Sequence, residues 1–265
     1  MPPRSELPLA GVRVLVTRPA PRALGLCRRV EGAGGEARGV PAIELVPPAD
    51  AGRARRLLVD RAATDRVIFI SRSAVEFALR LVPDLGGLLE GRPVFAAGAG
   101  TRGELERRGV RNVIAPSRQA GTEGLLRLDA LQEAAVSGQG VLIVRGEGGR
   151  EALRAELEKR GARVGYAEVY ARRRPGTAEL DSVWRGSPPD IIVTTSNEGL
   201  ENLVEMTEAS RRDALFATPL VVTSRRAGAR AAELGFKGRV ATAASADDDE
   251  LLECVVSVME KTRGR

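Results

Sequence analysis

Short polar motifs follow apolar runs along the sequence, and their side chains suit the binding of an anion. In chain order, these motifs are Thr17-Arg18, Ser71-Arg72-Ser73, Gly98-Ala99-Gly100-Thr101, Arg145-Gly146, Thr195-Ser196-Asn197 and Thr223-Ser224. Hydroxyl and amide groups at the start of a helix attract carboxylates, and arginine is the preferred planar partner of a carboxylate or phosphate. The same residue types are ordinary helix N-caps, so a structural role explains them equally well.

One motif extends to Gly98-Ala99-Gly100-Thr101-Arg102-Gly103, which matches the G-x-G-x-x-G pattern of dinucleotide-binding turns. Ser117-Arg118, after the next apolar run, would suit the 2′-phosphate of NADP. Two observations oppose this interpretation: no acidic residue ends that run, and the corresponding turn at Thr223-Ser224-Arg225-Arg226 lacks the glycines. An NADP-dependent enzyme is therefore an alternative, and a turn that binds another anion is favoured.

A second glycine-rich turn is Arg145-Gly146-Glu147-Gly148-Gly149-Arg150, between an apolar run and a predicted helix. It suits either a tight turn that leads into a helix or a nest of backbone amides, flanked by arginines, that holds an anion. The repeat described below pairs it with Thr17-Arg18-Pro19, where a proline begins the next helix. Both interpretations of this turn stay open.

Histidine is absent, which excludes a Ser-His-Asp triad, histidine-bound zinc and acid–base catalysis by imidazole. Cys27 and Cys254 are isolated and lack the spacing of metal ligands, so we expect no metal site. Tyr166 and Tyr170 are the only tyrosines and lie four residues apart on one predicted strand, which predicts that they share a face. Packing is the default role for both, and a hydroxyl within a site would be able to donate a proton.

The chain carries 41 Lys and Arg against 35 Asp and Glu, a formal net charge of +6. Scattered arginines and few aromatic residues argue against nucleic acid binding and favour either an anionic small molecule or a generally arginine-rich surface. No apolar run approaches the roughly 18 residues of a membrane span. With two isolated cysteines, we expect a cytoplasmic location.

The short polar motifs recur because the sequence contains an internal repeat. Three apolar runs beginning at Val12, Arg66 and Pro93 have counterparts, in the same order, beginning at Val141, Asp190 and Pro219. The offsets are about 124 to 129 residues, too long for a solenoid repeat and suited to a duplicated domain. Any site is then expected between the two domains.

Each apolar run is followed by a helical pattern and a second extended run, which predicts doubly wound parallel sheets in an α/β fold. The second runs are Arg38–Leu45, Val110–Ala115, Val164–Tyr170 and Gly238–Thr242, and the glycines before them, Gly34-Gly35, Gly109, Gly161 and Gly235, are predicted left-handed helix ends. Two runs that end in proline are candidate interdomain strands. They are compatible with a chain that crosses between the two domains twice. The domains would then comprise 1–39 plus 175–265 and 48–166, with connector strands 40–47 and 167–174.

Several segments in this order match a known family. They are Val16-Thr17-Arg18-Pro19, Val40-Pro41-Ala42-Ile43-Glu44, Phe69-Ile70-Ser71-Arg72-Ser73-Ala74-Val75, Gly98 through Thr101, Val144-Arg145-Gly146, Val169-Tyr170 and Thr194-Thr195-Ser196. By the order and spacing of these segments, the chain resembles the uroporphyrinogen-III synthase family over nearly its whole length.

The resemblance implies two flavodoxin-like domains joined by a two-stranded connector, the first domain being discontinuous. It also implies a lyase activity without a cofactor. The linear octacarboxylate hydroxymethylbilane would lose water, invert its last pyrrole ring through a spiro intermediate and close to uroporphyrinogen III. Such a reaction needs mainly positioning and electrostatic preorganisation, which a chain without histidine can supply.

The resemblance further implies which residues serve the site. Thr101, Tyr170 and Ser196 would lie at it, with Tyr170 as the proton donor for departure of the hydroxyl group. Ser71 and the Thr223-Ser224 turn would contact substrate carboxylates. A monomer with transient contact to hydroxymethylbilane synthase is expected, and the alternative is a non-catalytic ligand sensor of the same fold.

Overall fold

The computed structural model describes residues 7–263, so residues 1–6 of the first predicted domain and residues 264 and 265 lie outside the described part. The chain divides into two compact units. The first comprises the chain up to Glu44 and from Arg173 onward, and the second comprises Leu45–Arg172. The predicted connector strands and domain limits stay predictions.

Strands and helices alternate along the described chain. The strands are β1 (Arg13–Val16), β2 (Glu36–Gly39), β3 (Glu44–Val46), β4 (Arg66–Phe69), β5 (Val94–Ala96), β6 (Gly140–Gly146), β7 (Arg163–Arg173), β8 (Ile191–Val193), β9 (Leu220–Val222) and β10 (Val240–Thr242). The α-helices are α1 (Ala20–Gly32), α2 (Ala51–Val59), α3 (Arg72–Leu81), α4 (Leu85–Leu89), α5 (Ala99–Arg107), α6 (Thr122–Leu125), α7 (Glu133–Val136), α8 (Ala152–Lys159), α9 (Ala178–Arg185), α10 (Asn197–Met206), α11 (Arg212–Ala217), α12 (Arg225–Leu234) and α13 (Asp248–Arg263). Short 3₁₀ helices span Asp129–Leu131 and Ala209–Arg211.

The sheet of the first unit has the order β10-β9-β8-β1-β2, and its neighbouring strands pair in parallel. This is the flavodoxin-like arrangement, in which the first strand of the sheet lies between the second and the third. The sheet of the second unit has the order β3-β7-β6-β4-β5, with parallel pairing of β4 to β5, β4 to β6 and β6 to β7. The predicted α/β fold of doubly wound parallel sheets is confirmed.

Each sheet has an apolar core on both of its faces. Successive residues of a strand point to opposite sides, so each strand contributes side chains to both cores. In β1, Val14 and Val16 pack into the core that contains α1 and α13, whereas Leu15 packs into the core on the other face. In β4, Phe69 and Ile68 divide between two cores in the same way. The near-continuous apolar runs of the sequence follow from this two-sided burial.

Two predicted strands are wrong in their extent. The predicted strand Val110–Ala115 is reduced to a single bridge between Ile114 and Phe95, because Asn112 adopts a left-handed φ of 54° that interrupts an extended chain. The predicted run Arg38–Leu45 is divided between two sheets. Hydrogen bonds to β1 continue through Val40 and Ala42, with Pro41 on the free side of this edge strand, and the extended chain resumes as β3 in the other sheet.

The predicted left-handed helix ends are confirmed at Gly34, Gly109, Gly161 and Gly235, where φ lies between 83° and 104°. These turns bring the chain back to the amino end of the sheet. Each helix that follows a strand therefore begins again at the carboxyl edge, which is where the polar motifs lie.

Gly140, at the start of β6, packs closely against the backbone of a neighbouring segment in the second unit. A Cβ atom there would lie 2.0 Å from the carbonyl oxygen of Ala63, and Gly140 exchanges two hydrogen bonds with Asp65 that hold this backbone in place. Gly140→Ala should therefore lower the free energy of unfolding by about 1–3 kcal/mol, measured by chemical denaturation.

The matched control is Gly103→Ala in α5, where a Cβ atom would have no heavy atom within 4 Å. That helical substitution should raise the free energy of unfolding by up to about 1 kcal/mol. Equal effects of the two substitutions would contradict the packing described for β6.

Candidate functional site

In the first unit, the polar motifs follow three adjacent strands. Thr17 and Arg18 follow β1, Thr195 and Ser196 follow β8, and Thr223 follows β9. The hydroxyl of Thr17 donates to the carbonyl oxygen of Val193 at 3.1 Å, and that of Thr223 donates to the carbonyl oxygen of Thr195 at 3.3 Å. These bonds extend the parallel pairing by one residue past the ends of the strands and fix the spacing between neighbouring turns.

Three serines at the carboxyl edges have the same local geometry. Ser71, Ser196 and Ser224 are the N-caps of α3, α10 and α12, with extended backbones. Each hydroxyl oxygen accepts a hydrogen bond from the amide three residues on, at 3.0–3.1 Å. The N-cap interpretation is confirmed, and it is compatible with binding because each hydroxyl also has a hydrogen to donate. Asn197 is half-buried and begins α10 directly after its cap.

Arg18 has a buried guanidinium that is bound within its own unit. Its Nη1 atom lies 2.5 Å from Oδ1 of Asp248, and its Nη2 atom donates to the carbonyl oxygen of Ala246 at 3.3 Å. Asp248 is the first residue of α13, so the ion pair ties the turn after β1 to the start of that helix. Spacing along the sequence does not reveal this pair, because the two residues are 230 positions apart.

In the second unit, Tyr170 lies beside the N-cap of α3. Its hydroxyl is 3.4 Å from Oγ of Ser71, its ring centroid is 5.4 Å from that of Phe77, and the side chain is buried. A Cβ atom on Gly146 would lie 2.5 Å from the Tyr170 ring, so glycine at this position makes room for it. Three predicted site residues, Ser71, Gly146 and Tyr170, are thus brought together.

The prediction that Tyr166 and Tyr170 share a face is wrong. Arg145 pairs with Glu168 and Gly146 with Tyr170, so β7 contains one extra residue at this point. The bulge shifts the alternation, and Tyr170 enters the core of β4 and α3 while Tyr166 packs on the opposite face. A bulge leaves no signature in the spacing of these residues.

The Gly98 motif forms the start of α5. Gly98 is the N-cap with an extended backbone, Thr101 is buried in the first turn, and a Cβ atom on Gly100 would lie 3.4 Å from Nε of Arg72. The motif therefore brings Arg72, which is exposed, next to the turn after β5, while Ser73 is buried in α3. A dinucleotide fold requires a strand after this helix, and the single bridge at Ile114 does not provide one.

The turn after β6 opens onto a cavity of about 230 Å³ within the second unit. Its wall includes residues that follow β4 and β5, the end of β6 and the glycine-rich turn before α8. The lining residues are Ile70, Ala97, Gly121, Thr122, Leu125, Ile143, Arg145, Gly146, Gly148, Gly149, Arg150, Leu153, Tyr166 and Arg172. We refer to this space as the Arg145 cavity. Thr122 and Arg172 had no sequence signal as site residues.

The guanidinium of Arg145 is buried and held from several sides. It donates to the carbonyl oxygen of Gly146 at 3.1 Å and to Oε1 of Glu151 at 3.2 Å, and it stacks on the Tyr166 ring at 4.4 Å. The Tyr166 hydroxyl donates to the other carboxylate oxygen of Glu151 at 2.7 Å. One carboxylate therefore binds both the arginine and the tyrosine, and the sequence did not predict this arrangement.

The electrostatics of this group follow from its contacts. Burial of Tyr166, with the hydrogen bond to Glu151, raises the pKa of the phenol to about 12. The hydrogen bond from Tyr166 and the charge of Arg145 lower the pKa of the Glu151 carboxyl. Glu151 is thus an ionised acceptor at neutral pH, and Tyr166 is a neutral donor.

Among residues 7–263, no group of three His, Cys, Asp or Glu side chains is arranged to hold a metal ion. Within the same residues, no helix is long and apolar enough to cross a membrane.

The fold and these sites define a class of protein: two α/β units, each with a largely parallel sheet whose carboxyl edge presents hydroxyls, helix N-termini and arginines. A family model described as "Uroporphyrinogen-III synthase HemD" matches residues 26–253. The chain is 34% identical over 250 residues to uroporphyrinogen-III synthase of Salmonella typhimurium LT2, covering 91% of this chain and 99% of that protein. It is 31% identical over 246 residues to the Escherichia coli K12 protein of that name, with the same coverage.

A solved structure supports the fold. Uroporphyrinogen-III synthetase from Helicobacter pylori 26695 is similar with a TM-score of 0.61 at 15% identity, over 93% of this chain and 99% of that one. The chain belongs to the uroporphyrinogen-III synthase HemD family, and the resemblance inferred from the sequence is confirmed.

The Tyr166 phenol provides a direct test of the Arg145 cavity. In a Tyr170→Phe variant, Tyr166 is the only tyrosine, and phenolate absorbance should appear with a midpoint near 12 rather than near 10. Adding Glu151→Gln should lower that midpoint, because it removes a negative charge beside the phenolate. A midpoint near 10 in protein that circular dichroism shows to be folded would contradict the contacts described.

The raised pKa has a consequence for stability. Since the folded state holds the Tyr166 proton more tightly than the unfolded chain does, the free energy of unfolding should decrease as the pH rises from about 10 toward 12. Glu151→Gln should weaken this dependence.

Proposed function

We propose that this chain is a lyase of tetrapyrrole biosynthesis that converts hydroxymethylbilane into uroporphyrinogen III with loss of water and inversion of the terminal pyrrole ring. The observation that carries the proposal is family membership combined with two carboxyl edges rich in hydroxyls, helix N-termini and arginines. An octacarboxylate is a ligand that such groups suit.

Substrate binding is assigned to the motifs at the two edges. In the first unit, these are Thr17, Arg18, Thr195, Ser196, Asn197, Thr223 and Ser224. In the second unit, they are Ser71, Arg72, Ser73, Gly98, Gly100, Thr101, Arg145 and Gly146. Within this set, the guanidinium of Arg18 is buried and already ion-paired with Asp248. It therefore supports the turn after β1 and is not itself a first choice for a substrate carboxylate.

Tyr170 is the proposed proton donor. Its hydroxyl gives a proton to the hydroxyl of the substrate's hydroxymethyl group, the C–O bond breaks and water leaves with the bonding electrons. The azafulvenium cation that remains is attacked by the substituted pyrrole carbon, and the ring inverts through a spiro intermediate. Closure releases a proton that returns to the tyrosinate, so the net change is the loss of one water without oxidation or reduction. Backbone amides and hydroxyls hold the substrate in this geometry.

The cellular setting is proposed on chemical grounds. Hydroxymethylbilane closes spontaneously to the uninverted isomer I, so a transient contact with hydroxymethylbilane synthase would limit that loss. A cytoplasmic monomer suits this role.

Product analysis tests the function. Freshly generated hydroxymethylbilane is supplied to the protein, and the products are oxidised and separated into uroporphyrins I and III by chromatography. Predominantly isomer III is expected. Isomer I alone, from folded protein, would contradict the proposal and favour a non-catalytic ligand-binding protein.

Tyr170→Phe tests the proton donor. It removes a hydroxyl with one long contact, to Ser71 at 3.4 Å, and keeps the ring that packs on Phe77. We expect kcat for isomer III formation to decrease by about 10²-fold, with little change in the denaturation midpoint. An unchanged kcat would exclude Tyr170 as the donor.

A further inference from the structure

The lining of the Arg145 cavity is rich in arginine. Three arginines, Arg145, Arg150 and Arg172, are among the described residues that line it, and no Asp or Glu is among them. A buried guanidinium with charged neighbours of the same sign favours an anion in the adjoining space. The cavity also lies wholly within the second unit, so its chemistry can be argued from that unit alone.

The glycines of the wall let the turn before α8 pack closely on the Arg145 guanidinium. A Cβ atom on Gly149 would lie 2.8 Å from Nη2 of Arg145, so any side chain there would press on the guanidinium. Gly149 and its neighbour Gly148 have φ values of 98° and 69°, which few other residues adopt. The turn thus combines a conformation suited to glycine with close packing on the arginine, whose side chain is 4% exposed.

One carboxylate is already bound to the Arg145 guanidinium. Glu151 accepts hydrogen bonds from Arg145 and from the Tyr166 hydroxyl, yet its side chain is 62% exposed and belongs to the residue that caps α8. Solvent screens the charge of a carboxylate that is this exposed, which weakens its attraction to the arginine. It is therefore an acceptor that another carboxylate is able to replace.

We propose that Arg145 and Tyr166 form a pocket for one carboxylate side chain of the tetrapyrrole, and that Glu151 is an internal carboxylate that the ligand displaces on binding. The ligand carboxylate would accept from the Arg145 guanidinium and the Tyr166 hydroxyl in place of Glu151. Displacement requires no new buried charge, because one carboxylate exchanges for another at the same cation. The inference rests on the proposed function for the identity of the ligand.

The test is binding of uroporphyrin III, a stable octacarboxylate, measured by titration calorimetry with the full chain. Glu151→Gln should tighten binding by about two- to fivefold, because it weakens the competing acceptor. The matched control is Glu156→Gln, on the same helix and paired with Arg160, neither of which lines the cavity. The control changes the net charge equally, so it measures any general electrostatic gain. Equal tightening by both variants would overturn the inference.

A second variant tests the shared donor. In the Glu151→Gln background, Tyr166→Phe should weaken binding by about three- to tenfold, because the ligand alone loses the hydrogen bond. In the wild-type background the loss should be smaller, since Glu151 and the ligand lose the same donor. An identical loss in both backgrounds would contradict displacement. Both side chains are at least partly exposed, so these variants avoid the folding risk of replacing buried Arg145.

Failure of this inference can be told apart from failure of the proposed function. If the chain produces isomer III but Glu151→Gln leaves the dissociation constant unchanged, the pocket is wrong and the function stands. If uroporphyrin III binding follows the predicted pattern without formation of isomer III, the pocket stands and the function is wrong. In active protein, Glu151→Gln should lower KM rather than raise kcat, because it changes binding and leaves Tyr170 untouched.

Discussion

Parallel pairing of strands in each unit, such as Val14 with Ile191 and Val67 with Leu142, determines where polar groups are able to lie. A sheet buried on both faces favours apolar residues within its strands, and parallel order directs the carboxyl ends of neighbouring strands, where polar residues such as Arg145 lie, to one edge. Helices that start there add N-cap hydroxyls. The serines at positions 71, 196 and 224 repeat one solution to this constraint, and hydroxyls placed in this way suit the binding of an anion.

Two buried arginines show how the same constraint leads to different roles. Removing a guanidinium from water costs several kcal/mol unless it is paired. Arg18 is paired internally with Asp248, whose carboxylate is only partly exposed, and this links two elements of the first unit. Arg145 pairs with Glu151, whose carboxylate is mostly exposed, and it adjoins a cavity. The first pairing suits a fixed structural tie, and the second suits exchange with a ligand.

Much of the fold follows from local sequence patterns. Most of the apolar strands, the glycine helix ends and the serine N-caps depend on residues close together in the chain, and the structure confirms them. The errors arise where one residue changes the geometry: the left-handed Asn112 removes a strand, and the bulge before Tyr170 moves a tyrosine to the other face. The pairs of Arg18 with Asp248 and of Tyr166 with Glu151 depend on tertiary contact, which spacing does not encode. The sequence patterns locate the predicted site residues in turns between strands and helices. The tertiary contacts are needed to see which groups each side chain binds.

We propose that the carboxyl edges of both sheets bind the anionic tetrapyrrole. Amide hydrogen exchange with and without saturating uroporphyrin III tests it most directly. The account predicts slower exchange in the turns after β4, β5 and β6 and in those after β1, β8 and β9, including the amides of Ala74, Gly199 and Ala227. Slower exchange confined to the opposite edge of the second unit, around the cavity lined by Asp84, Arg92 and Asn112, would contradict it.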